Sequence, residues 1–373
     1  MLRDTPLLSA HTAAGAKLVP FAGWRMPLQY TSIAEEARAC RTAAALFDVS
    51  HMGNLRLVGA EARAAARAVL TRDVRTLPVG CSHYALLCNP EGGIRDDLIV
   101  LAESEAAMRL VVNAVNHDRD RAWLEEHLAS HAVQIDDLGG RSFGLALQGP
   151  RAAEVLAEVA SAGEMPAHYG TFTWMDLVGA RTLVSRTGYT GEDGFELFGE
   201  AEAGPALWQA LLGRGGALGL VPAGLAARDV LRQEMGYPLW GQDLEENTTP
   251  LEAGLRWAVE WEGDFIGRSA LEGVTPTRRR VGFTVPGPGV ARAGASIALA
   301  GDAIGRVTSG TYSHHLGQAI GQGYIASTAK AGPGDEVTLS GGTRELTARL
   351  AKLPLLPARH LTSWTKLKGK TEL

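Results

Sequence analysis

Residues 82–101 read SHYALLCNPEGGIRDDLIVL, two apolar runs that are separated by a short polar segment. The segment Asn89–Gly93 contains one proline and two glycines, a composition that is typical of the turn between two paired strands. We therefore predict a β-hairpin whose strands are Ser82–Cys88 and Ile94–Leu101.

Strand and helix patterns surround this hairpin on both sides. Residues 54–58 and 109–113 alternate like strands, and a further short strand is predicted at 133–135. An alanine-rich helix is expected near 61–69, and Asp118–Leu128 has the pattern of a charged amphipathic helix. Strands that bracket two helices within about 85 residues indicate an α+β sandwich of the ferredoxin type.

The rest of the chain divides into an N-terminal segment, a second α+β region and an all-β region. Residues 5–50 read as helical with one irregular break at Phe21–Leu28, and Ser32–Glu35 is a capping box that opens a helix. A second round of strands and helices begins at Phe143. After Thr277, short apolar runs alternate with glycine-rich turns, which is typical of a small barrel or sandwich.

The composition is that of a globular protein long enough for two or three domains, with 373 residues of which 46% are hydrophobic. A net charge of −5 argues against non-specific nucleic-acid binding, which needs a broad basic field. The three cysteines match neither a disulfide framework nor a zinc signature. We find no signal-peptide pattern and no stretch of about 18 apolar residues, and therefore expect a cytoplasmic protein that does not enter a membrane.

The first candidate site is the pair of adjacent carboxylates at Asp96 and Asp97, just inside an apolar strand. Side chains alternate between the two faces of a strand, so these carboxylates should point in opposite directions. A carboxylate turned into apolar surroundings is costly unless a cation or a hydrogen-bond donor meets it. The pair therefore indicates either a carboxylate that awaits a polar substrate or a hairpin whose acids both remain near solvent.

The second candidate site is the glycine-rich segment Ser185–Leu197, SRTGYTGEDGFEL, with Tyr189 near its centre. Glu196 lies between two apolar residues and so points to the opposite face of its strand. Its carboxylate could accept two parallel N–H bonds from the edge of a planar heterocycle, and an aromatic side chain could stack on the same ring. Taken alone, the segment is also explained as an ordinary glycine-rich hairpin.

The third candidate site is a predicted helix near 224–236, which carries Arg228 and Arg232 one turn apart on the same face. Asp229 could pair with Arg232 in a surface salt bridge of little energetic consequence. Alternatively, one of these arginines could anchor a ligand that carries a carboxylate or a carbonyl group. The pattern leaves both interpretations open.

Other motifs argue against several classes of function. A Ser-His-Asp triad at Asp48–His51 has no G-x-S-x-G elbow to support it, and the pair His314–His315 lacks the partners of a zinc site. No Walker or Rossmann fingerprint indicates a nucleotide or flavin cofactor. We interpret Arg278–Arg280 as a solvated domain linker and Lys366–Lys370 as a frayed end.

Taken together, eight motifs closely resemble, in their order, the aminomethyltransferase (T-protein) family of the glycine cleavage system. The resemblance runs essentially from Thr5 to the C-terminus. The motifs are Phe21–Pro27 (FAGWRMP), Phe47–Gly53 (FDVSHMG), Gly92–Val100 (GGIRDDLIV), Val112–Asn116 (VNAVN), Leu147–Pro150 (LQGP), Ser185–Leu197, Ala223–Asp229 (AGLAARD) and Gly241–Asp243 (GQD).

The resemblance implies a three-domain cloverleaf around a central folate channel, made of two ferredoxin-like α/β-sandwich domains and a C-terminal β-barrel or sandwich domain. Residues 1–53 together with 140–275 would form a discontinuous folate-binding domain. Residues 54–139 would form an inserted α+β domain that carries the catalytic carboxylate. Residues 276–373 would form the β-rich domain.

The resemblance also implies transfer of a one-carbon unit from the aminomethylated lipoyl arm of H-protein to tetrahydrofolate, which yields 5,10-methylenetetrahydrofolate and ammonia. The partners would be lipoylated H-protein and tetrahydrofolate, with no metal, flavin, nucleotide, nucleic acid or membrane. Asp97 matches the catalytic carboxylate of the family. The folate-binding positions fall on Tyr84, Tyr189, Glu196 and Arg228, and the channel-lining positions on Met52 and Tyr237.

Two related functions remain open as alternatives. One is a stand-alone tetrahydrofolate-dependent demethylase of a small methylated compound. The other is a non-enzymatic folate-binding protein that assists iron–sulfur or tRNA chemistry, a group that typically lacks the paired aspartates and carries a distinctive cysteine motif. Flavin-dependent sarcosine and dimethylglycine enzymes carry the same folate module, but fused to a dinucleotide-binding half whose fingerprint this sequence lacks.

Overall fold

A computed structural model of the protein describes residues 2–341 and 345–360, and the predicted frayed end at Lys366–Lys370 lies outside them. The strands are β1 Arg3–Asp4, β2 Lys17–Phe21, β3 Trp24–Gln29, β4 Ala44–Asp48, β5 Gly53–Val58, β6 Ser82–Cys88, β7 Ile94–Ser104, β8 Ala107–Val112, β9 Gln134–Asp137, β10 Ser142–Gln148, β11 Ala160–Ala162, β12 Phe172–Leu177, β13 Ala180–Ser185, β14 Gly194–Glu200, β15 Leu220–Ala223, β16 Arg278–Val285, β17 Ser296–Leu299, β18 Asp302–Ser313, β19 Gln318–Ala326, β20 Glu336–Ser340 and β21 Leu346–Ala351. The helices are α1 Leu8–Ala13, α2 Ile33–Thr42, α3 Ala62–Val69, α4 His117–His127, α5 Ala152–Val159, α6 Gly204–Gly215, α7 Leu225–Glu234 and α8 Arg268–Leu271. The predicted α+β class is confirmed.

The predicted hairpin is confirmed, because β6 and β7 pair antiparallel with Leu86 opposite Asp97 and Tyr84 opposite Ile99. The pair begins a five-stranded sheet in the order β6-β7-β8-β5-β9, in which all neighbours run antiparallel. Helices α3 and α4 cover one face of this sheet, since their apolar residues share one buried core with alternate strand residues. The other face of the sheet is left for contact with the rest of the protein.

Two glycines explain why the hairpin turns where it does. Gly92 has a φ of +80°, which is a backbone conformation that glycine adopts without strain. A Cβ on Gly93 would lie 1.7 Å from the carbonyl oxygen of Glu246, so no other residue fits at that position without a shift of the backbone. The Gly92-Gly93 pair therefore forms the turn and also allows the backbone at Glu246 to approach the turn closely.

A seven-stranded mixed sheet has the order β11-β12-β13-β14-β10-β4-β15. Helices α5 and α6 pack on one face with strand residues that include Leu46 and Leu147. Helices α2 and α7 pack on the opposite face with the neighbouring residues Phe47 and Ala146, as the alternation of strand side chains requires. Strand β4 pairs with β10 and β15, which both lie far along the chain, with Leu46 opposite Leu147 and Ala44 opposite Leu220. The predicted domain boundaries at 53, 140 and 275 stay predictions.

The N-terminal fifty residues are not the mainly helical segment that the sequence indicated. Only α1 and α2 are α-helical there, while β1, β3 and β2 form a small sheet in that order. The predicted irregular break at Phe21–Leu28 is the turn and second strand of a hairpin, since Ala22 and Gly23 have φ of 48° and 81°. The predicted helix start is confirmed, because Ser32 is the N-cap of α2 and its Oγ accepts a hydrogen bond from the Glu35 backbone N–H at 3.2 Å.

The predicted all-β region is a closed six-stranded barrel in the order β16-β19-β18-β17-β20-β21. The interpretation of Arg278–Arg280 as a solvated linker is wrong, because these residues begin strand β16. The Arg280 guanidinium donates to the carbonyl oxygens of Ala253 at 2.9 Å and Gly236 at 2.7 Å. The arginine run therefore ties the barrel to the segment that precedes it.

A buried ion pair joins helix α7 to the barrel. Arg232 Nη1 lies 2.5 Å from Asp243 Oδ2, and both side chains are at most 1% exposed. The other Asp243 oxygen accepts hydrogen bonds from Ser309 at 2.7 Å and from Thr308 at 2.5 Å, and both of these residues lie on β18. Asp229 also accepts from Arg232, as predicted, at 2.8 Å. Arg232 is thus a buried structural residue and not part of a surface lattice.

We expect Arg232→Ala to lower the free energy of unfolding by about 3–5 kcal/mol, because it leaves the buried Asp243 charge without its cationic partner. Denaturant unfolding followed by tryptophan fluorescence measures the loss. Arg268→Ala is the control, since Arg268 pairs with the exposed Glu272 and its loss should change stability by less than about 0.5 kcal/mol. Equal effects of the two substitutions would contradict the structural role of Arg232.

Candidate active site

The open face of the five-stranded sheet packs against the seven-stranded sheet. Ile99 of β7 contacts a buried cluster that includes Leu183 of β13 and Phe198 of β14. Because side chains two residues apart share a face of a strand, Asp97 lies on the face of Ile99, and Glu196 lies on the face of Phe198. The contact between the sheets therefore brings the two predicted site carboxylates onto facing surfaces.

Asp97 is held by hydrogen bonds from both neighbouring strands. Tyr84 Oη on β6 donates to Asp97 Oδ2 at 3.0 Å, which is the diagonal contact expected from the strand register. Asn113, just after β8, donates from Nδ2 to Asp97 Oδ1 at 2.9 Å. Burial, together with the nearby Asp96 charge, raises the pKa of the Asp97 carboxyl to about 7. Asp97 therefore changes charge near neutral pH.

Asp96 lies on the opposite face of β7 from Asp97, because Leu98 packs in the helix-covered core whereas Ile99 packs against the other sheet, and the Asp96 side chain is fully buried. The two carboxylates nevertheless reach one common donor, Asn113 Nδ2. It accepts hydrogen bonds from the Asn113 backbone N–H at 3.0 Å and from Asn113 Nδ2 at 2.8 Å. Asn116 Nδ2 donates to the same carboxylate at 2.6 Å. The expectation that both acids remain near solvent is thus wrong for Asp96.

Glu196 and Arg228 form the other end of the candidate site. Among the described residues, only Thr187 donates to the Glu196 carboxylate, from Oγ1 to Oε2 at 2.7 Å. Arg228, on helix α7, lies within electrostatic range of Glu196, and burial lowers its pKa while that negative charge opposes the decrease. Its Nη1 atom is buried and has no hydrogen-bond partner in the described part of the chain. This end therefore offers an anchored carboxylate and an unused guanidinium donor.

Tyr189 lies between the two ends. Its ring stacks on that of Tyr237 with centroids 5.6 Å apart, and the Arg228 guanidinium lies 4.8 Å from the centroid of its ring. Its hydroxyl donates to the carbonyl oxygen of Pro238. Burial raises the pKa of Tyr189, and the Asp97 carboxylate adds to this rise while Arg232 and Arg228 oppose it. An aromatic wall thus extends from the arginine toward the catalytic candidate.

Met52 packs between the clusters on the two facing sheets, next to residues such as Phe47 and Ile99. All seven residues proposed from the sequence are partly buried. They are Met52, Tyr84, Asp97, Tyr189, Glu196, Arg228 and Tyr237. Direct contacts join Tyr84 to Asp97 and join Tyr189 to Tyr237 and Arg228.

Sequence reasoning assigned no role to Asn113, whose amide joins both aspartates. The VNAVN motif that contains it was recognised, and a polar residue at the end of a buried strand could have indicated a contact with the neighbouring strand. Trp257 was also missed: its ring stacks on that of Tyr84 at 5.3 Å and is 60% exposed. No periodic pattern marks Trp257, because it lies in a short 3₁₀ turn.

The discarded sites also have clear places in the structure. His51 does not form a triad, because its Nδ1 has no partner among the described residues, and Asp48 instead accepts hydrogen bonds from His11 and Thr5. Burial lowers the pKa of His51 to about 4. Within residues 2–341 and 345–360, no group of three or more metal-ligating side chains is found, and no helix is long and apolar enough to cross a membrane.

Comparisons with known proteins identify the family of this chain. The GCVT N-terminal domain family model matches residues 7–263, and the glycine cleavage T-protein C-terminal barrel domain matches residues 278–356. Aminomethyltransferases of Halothermothrix orenii and Moorella thermoacetica are 42% and 43% identical to this chain, and each alignment covers 95% of this chain and 97% or more of the relative.

The crystal structure of the glycine cleavage system aminomethyltransferase T from Bartonella henselae aligns with a TM-score of 0.90 at 36% identity. The alignment covers 97% of this chain and 100% of that chain. The fold expected from the resemblance is therefore confirmed. These matches show that the chain belongs to the aminomethyltransferase (T-protein) family of the glycine cleavage system.

Proposed function

We propose that this aminomethyltransferase moves the one-carbon unit of the aminomethylated lipoyl arm of H-protein to tetrahydrofolate. The carbon leaves its sulfur and its ammonia and becomes bonded to folate N5 and N10, and the two protons from these nitrogens depart with the thiol and the ammonia. The observation that supports this proposal best is the Asp97 carboxylate, held by Tyr84 and Asn113 on the face that meets the Glu196 surface.

The Glu196 end suits the edge of a pterin ring. That edge presents N–H donors in one plane, and a carboxylate fixed by Thr187 can accept two of them side by side. The Arg228 guanidinium has a buried donor that meets no partner in the described part of the chain, and this donor can bind a carbonyl oxygen of the ligand. The stacked Tyr189 and Tyr237 rings offer an aromatic surface beside it.

The Asp97 end suits a carbon that becomes electron-poor during transfer. An anion fixed by two neutral donors stabilises developing positive charge without having to reorganise at the moment of reaction. The same carboxylate can orient N10 by a hydrogen bond. We do not assign it the role of general base toward N5, because the N5 amine already carries the lone pair that attacks the carbon.

The partner and the compartment are parts of the same proposal. Lipoylated H-protein would bring the aminomethyl group, and tetrahydrofolate would be the acceptor rather than a resident cofactor. A cytoplasmic location is supported by Cys40 and Cys88, which are buried free thiols. The decisive assay is the formation of ammonia and methylenetetrahydrofolate from aminomethylated H-protein. Tight folate binding without product would favour a folate-binding protein or a demethylase instead.

We expect Asp97→Asn to lower kcat by about two decades or more while folate affinity changes by less than about tenfold, the range typical of losing one electrostatic stabiliser. The loss falls on kcat because the charge matters most when the carbon becomes positive. Steady-state kinetics with aminomethylated H-protein and calorimetric folate binding measure the two quantities. Wild-type turnover in this variant would remove Asp97 from the mechanism.

We expect kcat/KM for tetrahydrofolate to rise with pH and to level off above about 7, because the raised pKa of Asp97 leaves its carboxyl protonated and uncharged at lower pH. The anion is the active form, so the rate should fall about tenfold per pH unit below that value. In Asp97→Asn, this decrease of the rate at low pH (the acid limb of the pH profile) should disappear. A rate that decreases with rising pH across neutrality would show that the protonated acid is the working form.

We expect Glu196→Gln to raise the Kd for tetrahydrofolate by about 10–100-fold, because one carboxylate oxygen that accepts an N–H becomes an amide donor. The fold should persist, since the glutamine oxygen can still accept from Thr187. Glu200→Gln, at the exposed end of the same strand, is the matched control and should bind folate normally. Equal Kd values for both variants would place the pterin edge elsewhere.

A further inference from the structure

A third buried carboxyl group, that of Asp120, lies behind the two aspartates of β7. Asp120 belongs to the first turn of helix α4 and is 0% exposed. Its backbone N–H donates to the Asn116 carbonyl oxygen at 2.8 Å, and the Asn116 side chain donates to Asp96 at 2.6 Å, so the two buried carboxyl groups lie close together and interact. Neither Asp120 oxygen accepts a hydrogen bond from any residue that the structure describes. A buried pair of carboxyl groups without a donor between them requires that one of them keeps its proton.

The surroundings indicate which of the two groups keeps the proton. Asp96 accepts three N–H bonds, two from Asn113 and one from Asn116, and hydrogen bonds to the charged form favour the anion. Asn116 is also the N-cap of α4, so Asp96 lies at the positive end of that helix. Asp120 has no comparable donors. The negative charge therefore belongs on Asp96 and the proton on Asp120.

The cations near Asp120 do not reverse this assignment. Arg95 Nε is 3.8 Å from Asp120 Oδ1, which is too long for a hydrogen bond, and Arg119 is the other cation that acts on it. Arg95 Nη1 and Arg119 Nη1 lie 3.2 and 3.1 Å from Glu246 Oε1. The Glu246 carboxylate therefore offsets part of the charge of both arginines. Burial and the Asp96 charge raise the pKa of Asp120 to about 10 against this opposing pull.

Asn113 connects this pair to Asp97. A single amide nitrogen, Asn113 Nδ2, contacts Asp96 Oδ1 at 2.8 Å, Asp97 Oδ1 at 2.9 Å and the Asp97 carbonyl oxygen at 3.0 Å. The amide can face Asp97 in this way only while Asp96 keeps its present orientation. Whatever fixes the Asp96 carboxylate therefore also fixes the donor that holds Asp97.

We propose that Asp120 is a positioning residue whose protonated carboxyl donates to Asp96, and that Asp96 thereby holds the Asn113 amide against Asp97. The consequence for catalysis rests on the proposed function of Asp97. Asp120 itself touches no reacting atom. Its role requires a neutral hydrogen-bond donor and not a negative charge. The proposal can therefore be distinguished from an electrostatic effect of a negative charge at this position.

The test compares Asp120→Asn, which is neutral and keeps a donor, with Asp120→Ala, which has none. We expect Asp120→Asn to keep kcat within about threefold of the wild type with an unmoved pH limb, and Asp120→Ala to lower kcat by about tenfold or more with little change in folate affinity. Asp118→Asn, an exposed acid in the same helical turn, is the charge control and should behave like the wild type.

Three results would overturn the proposal. Wild-type kcat in Asp120→Ala would remove the positioning role. A loss in Asp120→Asn as large as in Asp120→Ala would show that a neutral donor is insufficient. A downward shift of the pH limb by about one unit in Asp120→Asn would show that Asp120 carries a charge that acts on Asp97.

Infrared difference spectroscopy gives a readout that needs neither activity nor a stable alanine variant. At about pH 8.5, above the pKa of Asp97 and below that of Asp120, the wild type should show the carbonyl band of one protonated carboxyl group that Asp120→Asn lacks. Absence of this band in the wild type would contradict the proposal. If the band is present and the wild type makes no methylenetetrahydrofolate, the proposed function fails instead and the carboxyl pair stands.

Discussion

The apolar contact between the two sheets is the constraint on which the site depends. Ile99 on the five-stranded sheet and Leu183 and Phe198 on the seven-stranded sheet form an apolar patch. This patch fixes how the two sheets face each other. Asp97 and Glu196 are each two residues from that patch along their strands, so the patch sets their separation. Apolar side chains inside a protein are close-packed and deform little. This rigidity keeps the Asp97 and Glu196 carboxylates at the fixed spacing that group transfer requires.

Burial of the polar groups beside this patch is unfavourable in free energy. Hydrogen bonds and ion pairs with neighbouring side chains offset this penalty. Asp97 has two neutral donors and, among the residues that the structure describes, no cation in hydrogen-bond contact, so both its charged and its uncharged form are accessible near neutral pH. Asp243, by contrast, receives Arg232 and several further donors and stabilises the junction with the barrel. The same residue type thus has a reactive and a structural role, and the difference is the set of partners around it.

The sequence was sufficient for features that depend on local chemistry. The turn at Asn89–Gly93 and the opposite strand faces of Asp96 and Asp97 follow from glycine content and strand periodicity, whereas the Asn113 amide that both carboxylates share does not. Phe21–Leu28 was misread as an irregular break because a tight turn rich in glycine, proline and aromatic residues looks like a loop until its pairing partner is known. Arg278–Arg280 was misread because its acceptors are carbonyl oxygens distant along the chain. The prediction that residues distant in sequence lie in one site came from the family resemblance. The packing of one sheet on another leaves no local pattern in the sequence.

The central claim is that Asp97 and Glu196 contact opposite ends of one folate molecule. A crystal structure of the protein with bound tetrahydrofolate tests it most directly. The account predicts the Asp97 carboxylate beside N5 and N10, and the Glu196 carboxylate about 3 Å from the N–H groups at the far edge of the pterin. A folate that is bound away from the surface between these two side chains, or that contacts only one of them, would contradict the account.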